Sequence, residues 1–210
     1  MPGLRTAADE LPVKASKSWP TGLPQLDELL RGGLPQSAVT EIVARSRTCG
    51  SALLISSLLH RSAEVRQLAA LIDGQDSLDV TPLEPEILSR LLWVRCHSAD
   101  EALKAADLLL HDGNLPLVLL DLVLNPAAQL RKIPATTWYR LQRIIEETSV
   151  ALVALTPRPI IGPAQVRITL SSHFGLDALD CDQGELAREL KMEVAGTHVR
   201  TANEPLRQSA

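Results

Sequence analysis

The run Thr40-Glu41-Ile42-Val43-Ala44-Arg45-Ser46-Arg47-Thr48-Cys49-Gly50-Ser51-Ala52-Leu53-Leu54 passes from a β-branched strand through a short polar loop into an apolar helix. That is the layout of the phosphate-binding loop G-x-x-x-x-G-K-[ST]. Its backbone amides cradle phosphate, its lysine reaches the β- and γ-phosphates, and its hydroxyl ligates Mg²⁺. With Ser51 at the hydroxyl position, Gly50 stands at the lysine, Cys49 at the second glycine and Ala44 at the first. Shifting the register by one brings Gly50 to the second glycine, but puts Ser51 at the lysine and Ala52 at the hydroxyl. No register yields a lysine. Its loss removes the cation that holds the phosphates and stabilises charge during phosphoryl transfer. A Cβ on Cys49 also disfavours the positive-φ backbone that lets amides converge on an anion.

Two other residues of the loop have chemistry of their own. Arg45 and Arg47 sit beside a helix N-terminus, where guanidinium groups can bind an anion. The competing reading is that they are ordinary solvated loop charges. Cys49 lies at the same helix start, a setting that lowers thiol pKa values. No general base is placed beside it by sequence, which argues against a nucleophile. The three cysteines, Cys49, Cys96 and Cys181, are far apart and form no C-x-x-C pair. The five histidines form no ligand-spaced cluster. Reduced thiols, no metal and no cofactor are the expectation.

The elements that must position this loop are legible in the pattern. The chain has 210 residues, 45% hydrophobic and 22% charged, enough for one globular domain. Aromatics are only 2%, so the core must rest on aliphatic side chains, as in parallel-sheet α/β packing. Strands are predicted at 39–43, 68–72, 92–94, 116–121 and 150–155, and helices at 51–60, 83–91, 98–111 and 134–147. Ser98 with Glu101 three residues later is a capping box. Leu23, Leu26, Leu29 and Leu30 recur at helical spacing until Gly32-Gly33-Leu34-Pro35 stops them. This alternation predicts right-handed βαβ units and a mostly parallel twisted sheet flanked by helices. Gln165–Ser171 and Leu190–Val194 alternate apolar with polar residues, which predicts antiparallel strands added near the C-terminus. Residues 1–18 read as a flexible arm, 19–200 as the domain and 201–210 as a disordered tail.

Three blocks of this chain resemble the ATPase core of RecA-type recombinases. They are Thr21-Gly22…Leu26-Asp27…Gly32-Gly33-Leu34-Pro35…Thr40-Glu41-Ile42, then Leu71-Ile72-Asp73-Gly74-Gln75-Asp76-Ser77-Leu78-Asp79, and Leu117-Val118-Leu119-Leu120-Asp121. Their order and spacing agree over roughly residues 19–172. The resemblance implies a RecA-like, P-loop NTPase-type core. It places Asp121 at the Walker B position and Gln75 where the family carries a water-activating glutamate. Glutamine orients a water but cannot accept its proton as a carboxylate does. Asp121 reads either as an Mg²⁺ ligand or as a carboxylate left at the end of its strand. Ala44, Cys49, Gly50, Ser51, Gln75 and Asp121 are thus vestigial nucleotide-site positions, and no ATPase activity is expected.

The chain is more specifically similar to the ImuA family, RecA-like components of bacterial inducible mutagenesis cassettes. The opening blocks, the degenerate loop, the helix Tyr139-Arg140-Leu141-Gln142-Arg143 and the strand-to-proline run Leu152–Pro159 carry that likeness. What it implies is a non-catalytic accessory factor of SOS-induced translesion synthesis. Its implied partners are an ImuB-type Y-family polymerase homologue, an error-prone replicative-type DNA polymerase and RecA. A SulA-like cell-division inhibitor and a residual nucleotide-binding ATPase are the alternatives. Trp138, Tyr139, Arg140 and Arg143 combine aromatics with arginines, a mixture enriched at binding hot spots. The alternative is that Leu141 and one ring pack on the sheet. Ala202–Ala210 is a candidate linear binding segment. The net charge of −4 and scarce aromatics predict weak or no direct DNA binding. The absence of an apolar leader or long apolar run predicts a cytoplasmic protein with no membrane contact.

Overall fold

The computed structural model describes residues 17–194. Residues 1–16, the expected tail at 201–210 and the candidate segment Ala202–Ala210 lie outside the described residues. Ser18–Trp19 (β1) pairs antiparallel with Leu34–Pro35 (β2), so residue 18, expected in the arm, already belongs to the fold. A Cβ on Gly33 would come within 2.3 Å of the Trp19 carbonyl oxygen, and its φ is 123°, so this hairpin closes only on glycine. Pro24–Leu29 (α1) lies between the two strands in the chain and buries Leu26. The Asp27 carboxylate accepts from the Thr21 amide and hydroxyl at 2.8 Å each, and from the Gly22 amide at 3.2 Å. The Thr-Gly…Leu-Asp spacing is therefore a turn held by its own carboxylate.

The main sheet is built from Ala38–Ala44 (β3), Ala69–Asp73 (β4), Leu91–Arg95 (β5), Leu117–Asp121 (β6), Ala151–Thr156 (β7), Val166–Leu170 (β8) and Met192–Val194 (β9). Their order is β5-β4-β6-β7-β3-β8-β9. All neighbours run parallel except β8 and β9, the antiparallel pair expected near the C-terminus. The alternation over 165–171 does not make β8 itself antiparallel to the core, since β8 runs parallel to β3. It reports incomplete cover on one face, and Arg167 and Thr169 are half-buried.

The central strands read as continuous apolar runs because both of their faces are covered. On β6, Leu117 and Leu119 join one core cluster while Val118 and Leu120 join the other. Ser51–Glu64 (α2), the short Pro85–Leu88 (α3) and Gln183–Arg188 (α7) border the first cluster. Ala99–Asp112 (α4), the short Ala127–Leu130 (α5) and Ala135–Glu146 (α6) cover the second. Small Ala102 and Ala106 let α4 lie close to the sheet, where both are fully buried.

The capping box at Ser98 forms, with one difference in its return arm. Ser98 Oγ accepts from the Glu101 amide at 3.3 Å, while Glu101 Oε2 accepts from the His97 amide at 2.9 Å. The helix predicted at 83–91 shrinks to α3. The Arg90 carbonyl is already accepting from the Ala69 amide at 3.0 Å, so the ladder of β5 takes over the chain there.

Candidate functional site

Ala44 ends β3 and is buried against the sheet, in register with Leu170 of β8. The chain then turns through Arg45, Ser46, Arg47 and Thr48, all exposed, before Cys49 returns to the core at 2% exposure. Gly50 has φ 89° and forms the N-cap of α2, with Ser51 as the first helical residue. No side chain caps α2. Its first amides point out of the helix with the partial positive charge of the dipole.

Below this end of α2 lies a cleft of about 320 Å³. Its walls are the α2 face with Ile55 and Leu59, the ends of β4 and β6, the segment 77–83, and Gln183 of α7. Ser51, Arg47 and Asp121 border the same cleft, so the fold does bring these three sequence candidates together. Arg45 is not among the lining residues. Gln75 is not there either: its side-chain amide donates to the carbonyls of Gly74 at 2.9 Å and His97 at 3.1 Å. The position expected to hold a water-activating group is thus committed to bracing a turn.

Sequence reasoning passed over two acidic residues of the cleft, Asp73 and Asp79. Asp73 is 2% exposed, at the end of β4 in register with Asp121 of β6. Its oxygens accept from the amides of Ser77 at 2.7 Å, Leu78 at 2.8 Å and Gln75 at 3.3 Å. An aspartate ending an apolar strand ahead of Gly74 and Ser77 was the available signal for this turn. Among the described residues the Asp121 carboxylate accepts one hydrogen bond, from the Val123 amide at 3.0 Å. Burial pushes its carboxyl up to about 6, the Val123 bond works against that shift, and the charge of Asp73 adds to it.

The cleft therefore holds three carboxylates, Asp73, Asp79 and Asp121, against one guanidinium, Arg47. The charge of Asp73 acts on the buried Asp121 carboxyl, where a low dielectric strengthens like-charge repulsion. A polyphosphate entering here would meet net negative charge without the lysine that offsets it elsewhere. Among the described residues no group of three or more His, Cys, Asp or Glu side chains is placed to hold a metal ion.

The candidate partner surface on α6 divides. Trp138 is 2% exposed and packs in the core with Leu141 and Ile145, so it is not a surface residue. The helix has one apolar stripe, and Trp138, Leu141 and Ile145 fall on it at intervals of three and four. Tyr139 is exposed, Arg140 pairs with Asp107 of α4 at 3.1 Å, and Arg143 is exposed. Among the described residues no helix is long and apolar enough to cross a membrane.

A further charged site was missed. Glu41 on β3 is fully buried. Its Oε1 accepts from Thr156 Oγ1 at 3.0 Å and from the amides of Ile160 and Ile161 at 2.8 and 3.2 Å. Its Oε2 pairs with Arg167 Nε of β8 at 2.6 Å. This buried carboxylate ties β3, the 157–161 turn and β8 into one unit.

No family model matches the chain. It is similar to the RecA protein of Methylococcus capsulatus, with 28% identity over 165 residues. The match covers 74% of this chain and 47% of that protein, so the chain spans about half the length of the curated relative. This similarity and the parallel sheet with its flanking helices agree on a RecA-like α/β core.

Proposed function

We propose that the chain is a non-catalytic, RecA-like accessory protein of DNA-damage-induced translesion synthesis, in the manner of the ImuA family. It acts by protein–protein contact with an ImuB-type Y-family polymerase homologue, an error-prone replicative-type polymerase and RecA. The observation that supports this reading best is the charge of the degenerate site. Where a nucleotide-hydrolysing core needs a lysine facing the phosphates, this cleft offers Asp73, Asp79 and Asp121 with a single arginine.

The scaffold around that site nevertheless keeps its parallel sheet and flanking helices, and it offers surfaces for partners. β5 is a sheet edge, bonded to β4 on one side, with Leu92 44% exposed on it. An edge strand presents a row of backbone donors and acceptors to any extended partner. Tyr139 and Arg143 of α6 provide a second, separate surface.

Two measurements test this reading. Tagged full-length protein purified from its native host after DNA damage should bring down the Y-family homologue and the second polymerase. Recovery of the division protein FtsZ in their place would favour the SulA-like alternative. Calorimetry with ATP and Mg²⁺ should give no heat of binding, and micromolar affinity would replace the proposal with a nucleotide-binding ATPase. Any association with single-stranded DNA should be weak and fall steeply with salt.

A further inference from the structure

Residues 171–194 contribute only Gln183 to the wall of the cleft, yet their contacts converge on the loop. The Phe174 amide donates to the Thr48 carbonyl at 3.0 Å, and Thr48 Oγ1 lies 3.1 Å from His173 Nδ1. A Cβ built on Gly50 would fall 2.3 Å from Leu190 Cδ2 and 2.9 Å from Phe174 Cε2. Two apolar side chains from the far end of the chain therefore lie directly against the residue that starts α2. Further along, Ser56 Oγ donates to Gln183 Oε1 at 3.3 Å, and Gln25 Nε2 donates to the Ala187 carbonyl at 2.7 Å. Ala187 and Leu190 are buried in the same cluster as Cys49.

We propose that residues 171–194 form an internal latch that holds the strand–loop–helix joint in one conformation. Phe174 and Leu190 press on Gly50 from outside the loop, and the Phe174 amide pins the Thr48 turn. The latch is made of short pieces: the 3₁₀ turn Leu176–Asp180, the six-residue α7 and the three-residue β9. Few buried contacts hold such pieces, so they open locally at lower free energy than the central strands. Opening releases the loop and the first turn of α2 together with the strap. The latch concerns the chain's own folding unit and stands whether or not a polymerase is its partner.

Cys49 is a built-in reporter, because it is 2% exposed beneath the latch. Cys181 is exposed, whereas Cys96 is buried and burial pushes its thiol up. In the full-length protein, iodoacetamide labelling mapped by peptide mass should modify Cys181 fast and Cys49 slowly. The double substitution Phe174→Ala with Leu190→Ala should raise the Cys49 rate by at least about ten-fold, as expected for a lost local protection, while Cys96 stays slow. An unchanged Cys49 rate, with the Leu117–Leu120 amides still protected from hydrogen exchange, overturns the latch. Hydrogen exchange on the unsubstituted protein decides independently, even if the double variant fails to fold. Loop amides at 48–52 and strap amides at 171–194 should open together, ahead of Leu117–Leu120, and independent opening of the two segments overturns the proposal.

Discussion

Replacing Gly50 by alanine tests the geometry at the centre of this structure. The added methyl group would sit 2.3 Å from Leu190 Cδ2 and 2.9 Å from Phe174 Cε2, where no Cβ fits without displacing a neighbour. Gly50 also has φ 89°, a conformation that costs an L-residue roughly 1–2 kcal/mol. Overpacking a well-filled site adds about 1–3 kcal/mol, with flexible Leu190 yielding more readily than the Phe174 ring. Together these give a loss of roughly 2–5 kcal/mol. Urea unfolding followed by circular dichroism should show a lower midpoint with an unchanged slope. Gly162 supplies the control, since a Cβ there meets nothing nearer than the Tyr139 hydroxyl at 3.6 Å and its φ is not in the left-handed region. Gly162→Ala should stay within about 0.5 kcal/mol of the parent. A Gly50→Ala loss no greater than that of the control would refute both the strain and the close packing. Gly50→Lys restores the residue type of an intact loop in one register. It should bind ATP no better than the parent, because the position is covered by Phe174 and Leu190 and the cleft keeps its carboxylates.

Three further outcomes follow from individual side chains. Glu41→Ala strands the Arg167 charge and three donors, and should cost about 3–5 kcal/mol, as for other broken buried pairs. Arg167→Met leaves the carboxylate three neutral donors and should cost less, about 1.5–3 kcal/mol, so the reverse ranking in urea unfolding would contradict the network. Trp138→Ala should lose about 3–5 kcal/mol while Tyr139→Ala stays within about 0.5 kcal/mol, and a retained midpoint for the tryptophan variant would return it to the surface. For Asp121 the sign is set by burial: its folded carboxyl holds a proton up to about pH 6, whereas the unfolded one releases it near pH 4. The folded state binds more protons in that window, so this group lowers stability as pH rises from about 4 to 6. Asp121→Asn should therefore gain on the parent by up to about 3 kcal/mol between pH 4 and pH 7, and a pH-independent difference in urea midpoints would refute the assignment.

Much of this protein was open to a reading of neighbouring residues. Leu117–Leu120 and Val150–Leu155 are unbroken apolar runs because the strands they form are covered on both faces, and burial of that kind leaves its mark on every residue. Ser98 and Glu101 declare the start of α4, since a cap needs only atoms three residues apart. The missing lysine is likewise a property of the chain, true in every register of the loop. What the tertiary structure decided depends on atoms distant in sequence. Glu41 finds its partners 115 to 126 residues away, so nothing adjacent to it announces a buried ion pair. Trp138 and Tyr139 are consecutive and similar, and only the rotation of α6 on the sheet puts one in the core and the other in solvent. Gln75 was expected at a water-activating position, but its amide donates to the carbonyl of His97, 22 residues on, and does not line the cleft. The loop itself joins the two kinds of knowledge. Local sequence establishes that it lacks the lysine for phosphate, whereas long-range packing establishes that Phe174 and Leu190 lie against its helix-starting Gly50.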